Sequence, residues 1–300
     1  MGKIKLSVII VNYSCEKYLD ECLSSIEKSD FPIENLEIIV VSNSPLNKEL
    51  KNFENKYPQT INIHNPENFG FSKANNIGIR RSSGQYILIL NPDTIIYRST
   101  LSCVVNYLEN HHETGIATCL VKLADGTIDD ACHRGFPTPW NAFCYFSGAA
   151  DFFPSSVFFN GYHLGYQNLD KIHEIDSCAG AFLMIRRSLG EKLKWFDEDY
   201  FWYGEDLDLC FRMKKLGFKV IFIPQVSIVH YKGVSSGIIK QSKKISSATK
   251  EVKRKATMAR FDVMGLFYRK HYLQKYPRLI TAIVLAGINI KKSITLLFLK

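Results

Sequence analysis

The chain predicts an α/β fold, a mostly parallel sheet with helices on both faces. Three observations lead there. Short β-branched apolar runs recur at residues 6–13, 36–41 and 86–90, each long enough for a strand buried on both sides. Segments with helical apolar spacing separate them. Strands alternating with helices in this way build parallel sheets.

Taken in order, residues 6–13 form the first strand. Ser14 can cap a helix whose buried face is Leu19, Cys22, Leu23 and Ile26. Residues 36–41 form the second strand. A helix over about 46–57 and a short strand over 61–64 follow. Ser72 is placed to cap a helix reaching Arg81, and residues 86–90 form a strand ended by Asn91-Pro92-Asp93. The pattern weakens over 124–176, where Gly, Pro and aromatic residues mix without period, so this stretch reads as an irregular insert that forms a wall or lid at an acceptor site. Regularity returns at 178–185, in an acidic helix over 205–216, and in a strand over 219–223 that precedes Pro224 and His230.

The chain has 300 residues, 46% hydrophobic and 22% charged, which suits a folded globular protein with a real core. Its eight cysteines include no CxxC pair, as in a reduced cytoplasmic protein. The N-terminus runs straight into a strand pattern without signal-peptide features. The net charge of +9 is unevenly placed. Residues 232–300 hold 16 Lys/Arg against 2 Asp/Glu, a net of +14, and the other residues hold 22 against 27, a net of −5. A basic block beside apolar residues suits an anionic membrane surface or nucleic acid. It divides into a basic helical segment over 243–276 and an apolar one over 279–299, interrupted by Lys291 and Lys292. The apolar run before those lysines is shorter than the roughly 20 residues of a membrane span. On a helix, Leu279, Ile283, Ile290, Ile294 and Leu297 share a stripe, as in a helix lying in the membrane interface. The organisation expected is a catalytic domain over 1–236 and a membrane-associating tail over 237–300.

Ligands of parallel sheets sit at the carboxyl ends of strands, where Asn12, Tyr13, Ser42, Asn43 and Asp93 fall. Asp93 can hold Mg²⁺ or Mn²⁺ shared with a diphosphate, although Asn-Pro-Asp is also ordinary turn chemistry. Glu205, Asp206 and Asp208 open a helix after an aromatic, Gly-containing turn. Acids there complement the helix dipole in any protein, and Asp208 with Arg212 has ion-pair spacing, yet one carboxylate can serve as a base. His230 is either a buried, hydrogen-bonded histidine or a nitrogen ligand beside an Asp. The Asn/Gly-rich turn and helix start over 65–78, with Phe71, Lys73 and Asn75, is a capped loop or an anion site.

Together these segments resemble the family 2 inverting glycosyltransferases, and within them the bacterial rhamnosyltransferase-like enzymes of surface polysaccharide synthesis. The resemblance covers residues 6–236 and rests on SVIIVNY, NFGFSKANNIGI, LILNPDT, CAGAFLMIRR, FDEDYFWYGEDLDLCFRMKKLGFKV, and His230 with Ser235-Ser236. It implies a GT-A, Rossmann-like fold. Asn91-Pro92-Asp93 then stands for the family's DXD motif with Asp93 on the metal, and His230 completes the metal site. Asp206 is the catalytic base with Glu205 beside it. Val11, Asn12 and Tyr13 lie by the nucleotide, and Ser42, Asn43, Phe71, Lys73, Asn75 and Asn91 share the nucleotide-sugar site. The family's second strand ends Val-Asp-Asn-x-Ser, whereas this chain reads Val41-Ser42-Asn43-Ser44-Pro45, so a hydroxyl replaces the charged group that reads the base. The implied donor is a dTDP- or UDP-sugar, with rhamnose among the sugars. The implied acceptor is a glycan or polyprenyl-linked glycan at the inner face of the cell membrane. Competing readings are a nucleotidyltransferase, which lacks a basic Gly-rich triphosphate loop here; a sugar-nucleotide-binding protein with a decayed site; and a nucleic-acid binder, for which the tail carries no reading motif.

Overall fold

The computed structural model describes residues 4–44, 48–232 and 249–298. One nine-stranded sheet organises it. Strands β1 (Leu6–Asn12), β2 (Leu36–Ser42), β3 (Ile61–His64) and β4 (Tyr86–Leu90) lie parallel in the order β3-β2-β1-β4. The sheet continues through β8 (Phe182–Arg186), β6 (Thr114–Leu123), β9 (Lys219–His230) and β5 (Thr94–Ile96), while β7 (His173–Ile175) also pairs with β9. This second half is mixed: β8 runs antiparallel to β4 and β6, whereas β9 runs parallel to β6. Every residue of β1 is buried, the polar Ser7 and Asn12 included, as the apolar run Val8–Val11 requires of a central strand. Because the chain leaves β1 for β2 and later returns to β4 on the other side, the strand order reverses at β1, and the crevice at its carboxyl end is the place for a ligand.

Helices α1 (Glu16–Glu27), α2 (Lys48–Lys56), α3 (Phe71–Arg81) and α4 (Thr100–Asn110) belong to this sheet layer. Two starts differ from the sequence reading. The residue capping α1 is Cys15, not Ser14; Ser14 takes φ 53°, and the Asn12 side chain accepts from the Cys15 N–H instead. Gly70, not Ser72, stands before α3, and the Ser72 hydroxyl is used in a tertiary bond described below. The helix expected over 46–57 is described from Lys48 onward, the preceding residues lying outside the described ones.

Strand β9 is longer than expected, passing through Pro224 to His230. Its pairing with β6 shifts register between Ile223 and Ser227, a bulge that takes the proline. On its other edge β7 pairs only with Val220–Phe222 and β5 only with Ile228–His230. Pro224 therefore falls between two partners, where its missing N–H breaks no ladder bond. The continuation matters because it carries His230 opposite Thr94, next to Asp93.

The insert is not wholly irregular. It holds α5 (Pro139–Ser147), capped by Thr138, then α6 (Ala149–Phe152) and β7. Helix α7 (Arg187–Leu193) leads to the acidic helix α8 (Glu205–Lys215). Helices α9 (Lys250–His271) and α10 (Arg278–Leu297) end the chain. Helix α9 packs on the rest: Phe267, Tyr268 and Tyr272 form a second core with Tyr200 and Phe211.

Candidate active site

The candidate residues fall in two groups. At the carboxyl ends of the parallel strands, Asn12 and Ser42 are paired across β1 and β2, both buried. Val11 is buried beside them and Tyr13 stands exposed at the rim. Asn43 is fully occupied. Its amide donates to Asn68 Oδ1 and Gly70 O, and its Oδ1 accepts from Asn65 Nδ2 at 2.9 Å and Phe69 N at 3.2 Å. Asn43 thus organises the 65–70 turn, with Ser42 buried next to it at the end of the strand.

The 65–78 segment, read from the sequence as a capped loop or an anion site, latches the acidic loop in place. Phe71 N donates to Phe201 O at 2.8 Å, Ser72 Oγ to Tyr200 O at 2.5 Å, and Asn76 Nδ2 to Phe196 O at 2.9 Å. Gly70 sits at φ 81°, and a Cβ there would lie 2.6 Å from Phe201 O, so only glycine allows the two turns to touch. Lys73 is exposed, its ammonium 4.4 Å from the Phe69 ring centroid. Asn75 is buried with its Oδ1 unpartnered while its Nδ2 donates to Phe71 O.

Asn91, Asp93 and His230 converge. Asp93 Oδ1 lies 3.3 Å from His230 Nε2, and Asn91 Nδ2 lies 3.2 Å from the same nitrogen. Behind the ring, His230 Nδ1 lies 3.2 Å from Asp129 Oδ2, and Lys232 pairs with the other Asp129 oxygen. Burial pulls the His230 pKa down, but Asp93 and Asp129 outweigh it and hold the pKa at about 9. Asp129, buried too, is held well below the usual carboxylate range: burial opposes this, and the hydrogen bond from His230 and the Lys232 charge prevail. A ring that carries a proton between two carboxylates occupies a place built for positive charge. One carboxylate oxygen and one imidazole nitrogen suit Mn²⁺ or Mg²⁺, and a carboxylate behind the histidine fixes its tautomer. The residues fit such an ion. Among the described residues no group of three or more His, Cys, Asp or Glu could hold a metal, so diphosphate oxygens and water would supply the other positions. Asp129 had only a weak sequence signal, an Asp-Asp pair after a short Gly turn.

In the second group, Tyr203 at φ 72° and Gly204 at φ 82° throw the chain into α8. A non-glycine residue held there is local strain of the kind found at functional turns. Asp206 Oδ2 accepts from Arg134 Nη2 at 3.3 Å and from Gly180 N at 3.2 Å, and Oδ1 accepts from Leu207 N at 2.7 Å. The next residue, Ala181, accepts from Asn91 N at 3.3 Å. Gly180-Ala181 therefore couples Asp206 to the Asn91-Pro92-Asp93 turn. Arg134, which the sequence reading did not single out, comes from the insert. Its pKa is raised: burial opposes, and Asp206 leads the groups that raise it. Glu205 is buried, with Oε2 unpartnered. Burial first, then the Asp206 charge, pushes its pKa up to about 8, so near neutral pH it is protonated. Asp208 is structural, as its spacing indicated: Arg212 Nε donates to it at 2.6 Å, and His271 Nε2 of α9 lies 2.7 Å away.

This sheet, with Asp206 at the start of α8 and the Asp93–His230 pair at the end of β9, has the GT-A fold of glycosyltransferases. The family description Glycosyl transferase family 2 matches residues 7–193, and the chain belongs to that family. It is 28% identical over 232 residues to the Rhamnosyltransferase WbbL of Escherichia coli K12, covering 75% of this chain and 82% of that one. It is 22% identical over 245 residues to the N-acetylglucosaminyl-diphospho-decaprenol L-rhamnosyltransferase of Mycobacterium tuberculosis, covering 77% and 78%. The mannosyltransferase PcManGT of Pyrobaculum calidifontis, solved with GDP-Man and Mn²⁺, superposes with a TM-score of 0.54 at 16% identity, over 99% of this chain and 88% of that one.

Proposed function

We propose that this enzyme transfers a hexosyl group, rhamnose first among the candidates, from a dTDP- or UDP-sugar to a polyprenyl-linked glycan in surface polysaccharide synthesis. The relatives' printed activities support the sugar and the lipid-linked acceptor. The observation that supports the reading is the linkage of Asp206 through Gly180-Ala181 to Asn91, two residues before Asp93.

Asp93 and His230 would hold a divalent cation, with Asp129 orienting the ring; the ion would supply charge neutralisation for a departing nucleoside diphosphate. Val11, Asn12, Tyr13 and Ser42 form the nucleotide side, Ser42 offering a neutral hydroxyl to the base edge. Asp206 takes the proton of the acceptor hydroxyl as that oxygen attacks the anomeric carbon. Arg134 and the Gly180 N–H fix the carboxylate's orientation, and Glu205 beside it keeps its proton near neutral pH. Bond formation on the face opposite the leaving diphosphate inverts the anomeric centre in one displacement.

The basic, apolar C-terminal segment supports a site of action at the inner membrane face. Residues 278–297 are long and apolar enough to cross a membrane by composition. The placement of their charged residues favours an interfacial position instead. Lys292 pairs with Asp262 of α9 and Lys291 lies against Phe146, while the apolar stripe faces outward. Ser235-Ser236 lies outside the described residues. The test is a panel of nucleotide sugars with Mn²⁺, scored for sugar transfer to a polyprenyl-diphosphate acceptor. Release of pyrophosphate from a nucleoside triphosphate would point instead to nucleotidyl transfer, and binding without turnover to a decayed site.

A further inference from the structure

The insert displays an aromatic surface that the chemistry above does not use. Trp140, Phe143, Phe146, Phe152, Phe153 and Phe158 are exposed, Phe152 by 82%. They are not scattered. The Trp140 ring centroid lies 4.8 Å from Phe158 and 5.7 Å from Phe143, and the indole N–H donates to Phe158 O at 2.8 Å. Helix α10 presents a second exposed apolar strip, Leu279, Ile283, Ile290, Ile294 and Leu297. Its opposite side, at Val284 and Leu285, packs on the second core. The two surfaces adjoin, because the Lys291 ammonium lies 5.8 Å from the Phe146 ring centroid. A joined apolar surface of this composition marks an interaction site.

We propose that the aromatic lobe of α5–α6 and the outer stripe of α10 form one docking face for an anionic phospholipid bilayer, with the aromatic rings seated at headgroup depth. Charge selects the occupant. Helix α10 carries Arg278, Lys291 and Lys292 and no Asp or Glu, a charge that an anionic surface attracts and a second copy of the same face repels. Aromatic rings with flanking lysines are the side chains that settle in the headgroup layer. The lobe also has a direct line to the site. Its root is residues 134–136, where Arg134 N donates to Ser177 O at 3.1 Å and Gly135 N to Tyr162 O at 2.8 Å, and the Arg134 guanidinium holds Asp206. Docking the lobe therefore sets the base close to the bilayer surface, where the head of a lipid-linked acceptor lies; that last clause rests on the proposed function, whereas the docking face does not.

The test is co-sedimentation of the full chain with vesicles of phosphatidylglycerol and phosphatidylcholine, and of phosphatidylcholine alone. The unsubstituted chain should bind the anionic vesicles and lose binding in phosphatidylcholine alone or at high salt. The lobe variant Phe143→Ser/Phe152→Ser/Phe158→Ser and the helix variant Ile283→Ser/Ile290→Ser/Ile294→Ser should each lower the partition coefficient about tenfold or more. Donor hydrolysis in solution should stay near the unsubstituted value in both. If transfer proves absent while partition behaves as stated, the proposed function fails and the docking face stands. Unchanged partition of the lobe variant overturns the proposal, as does a dimer in sedimentation equilibrium that the lobe substitutions dissociate. Should the lobe variant precipitate, quenching of Trp140 fluorescence by brominated lipid in a Trp195→Phe/Trp202→Phe background reads the same contact: quenching upholds it and its absence refutes it.

Discussion

Arg134 Nη2 lies 3.3 Å from Asp206 Oδ2, so a guanidinium from the insert holds the first turn of α8. The contact joins two segments 72 residues apart and makes the insert part of the site and not merely a cover over it. Arg134→Met should lower kcat by up to about a hundredfold, as misplacing a reacting group by about an ångström does, with donor Kd from calorimetry nearly unchanged. Arg134→Lys keeps the charge without the planar fork and should fall between the two.

Glu205 should leave a signature in stability against pH. Its pKa stands at about 8 in the folded protein against an ordinary 4.5. Between those values the folded state keeps a proton that the unfolded chain has released. Stability is therefore greatest below the lower value and falls as pH rises toward the upper one, by at most about 1.4 kcal/mol per pH unit. Glu205→Gln should flatten that slope and raise the melting temperature at pH 8 relative to the unsubstituted chain. An equal slope in both proteins would show that Glu205 is ionised throughout.

Asp129 is the carboxylate behind His230. Asp129→Asn should weaken Mn²⁺ activation by about tenfold to a hundredfold, with part of the activity restored at saturating Mn²⁺. Activity against Mn²⁺ concentration reads this directly, and a curve unchanged in midpoint would remove Asp129 from the metal site.

Gly70 is where two turns touch. Gly70→Ala must fit a Cβ 2.6 Å from Phe201 O at φ 81° and should cost about 1–3 kcal/mol in chemical denaturation. Gly126→Ala is the control: its φ is 85°, but nothing lies within 4 Å of the added carbon, so it should lose less.

The parallel half of the sheet was legible because buried strands announce themselves as β-branched apolar runs, and β1, β2 and β4 fall where residues 6–13, 36–41 and 86–90 placed them. The Asp208–Arg212 pair was legible because helical spacing is local. What the sequence hid was tertiary. Pro224 truncated the reading of β9, since nothing local reveals that the proline falls between two edge partners. The 65–78 turn read as a capped loop or an anion site, and its role as a latch was hidden because its hydrogen-bonding partners, Phe196, Tyr200 and Phe201, lie more than a hundred residues away. Arg134 and Asp129 sit in a stretch without period, and only the folded insert brings them to Asp206 and His230. Helix α9 read as a tail, yet His271 reaches Asp208 from it.

The central claim is that one carboxylate of the three opening α8 removes the acceptor proton. Single-turnover transfer by Asp206→Asn, with donor Kd measured in parallel, tests it most directly. The account predicts a rate lower by about a hundredfold to ten-thousandfold with donor affinity retained. Near-normal turnover in Asp206→Asn would contradict it.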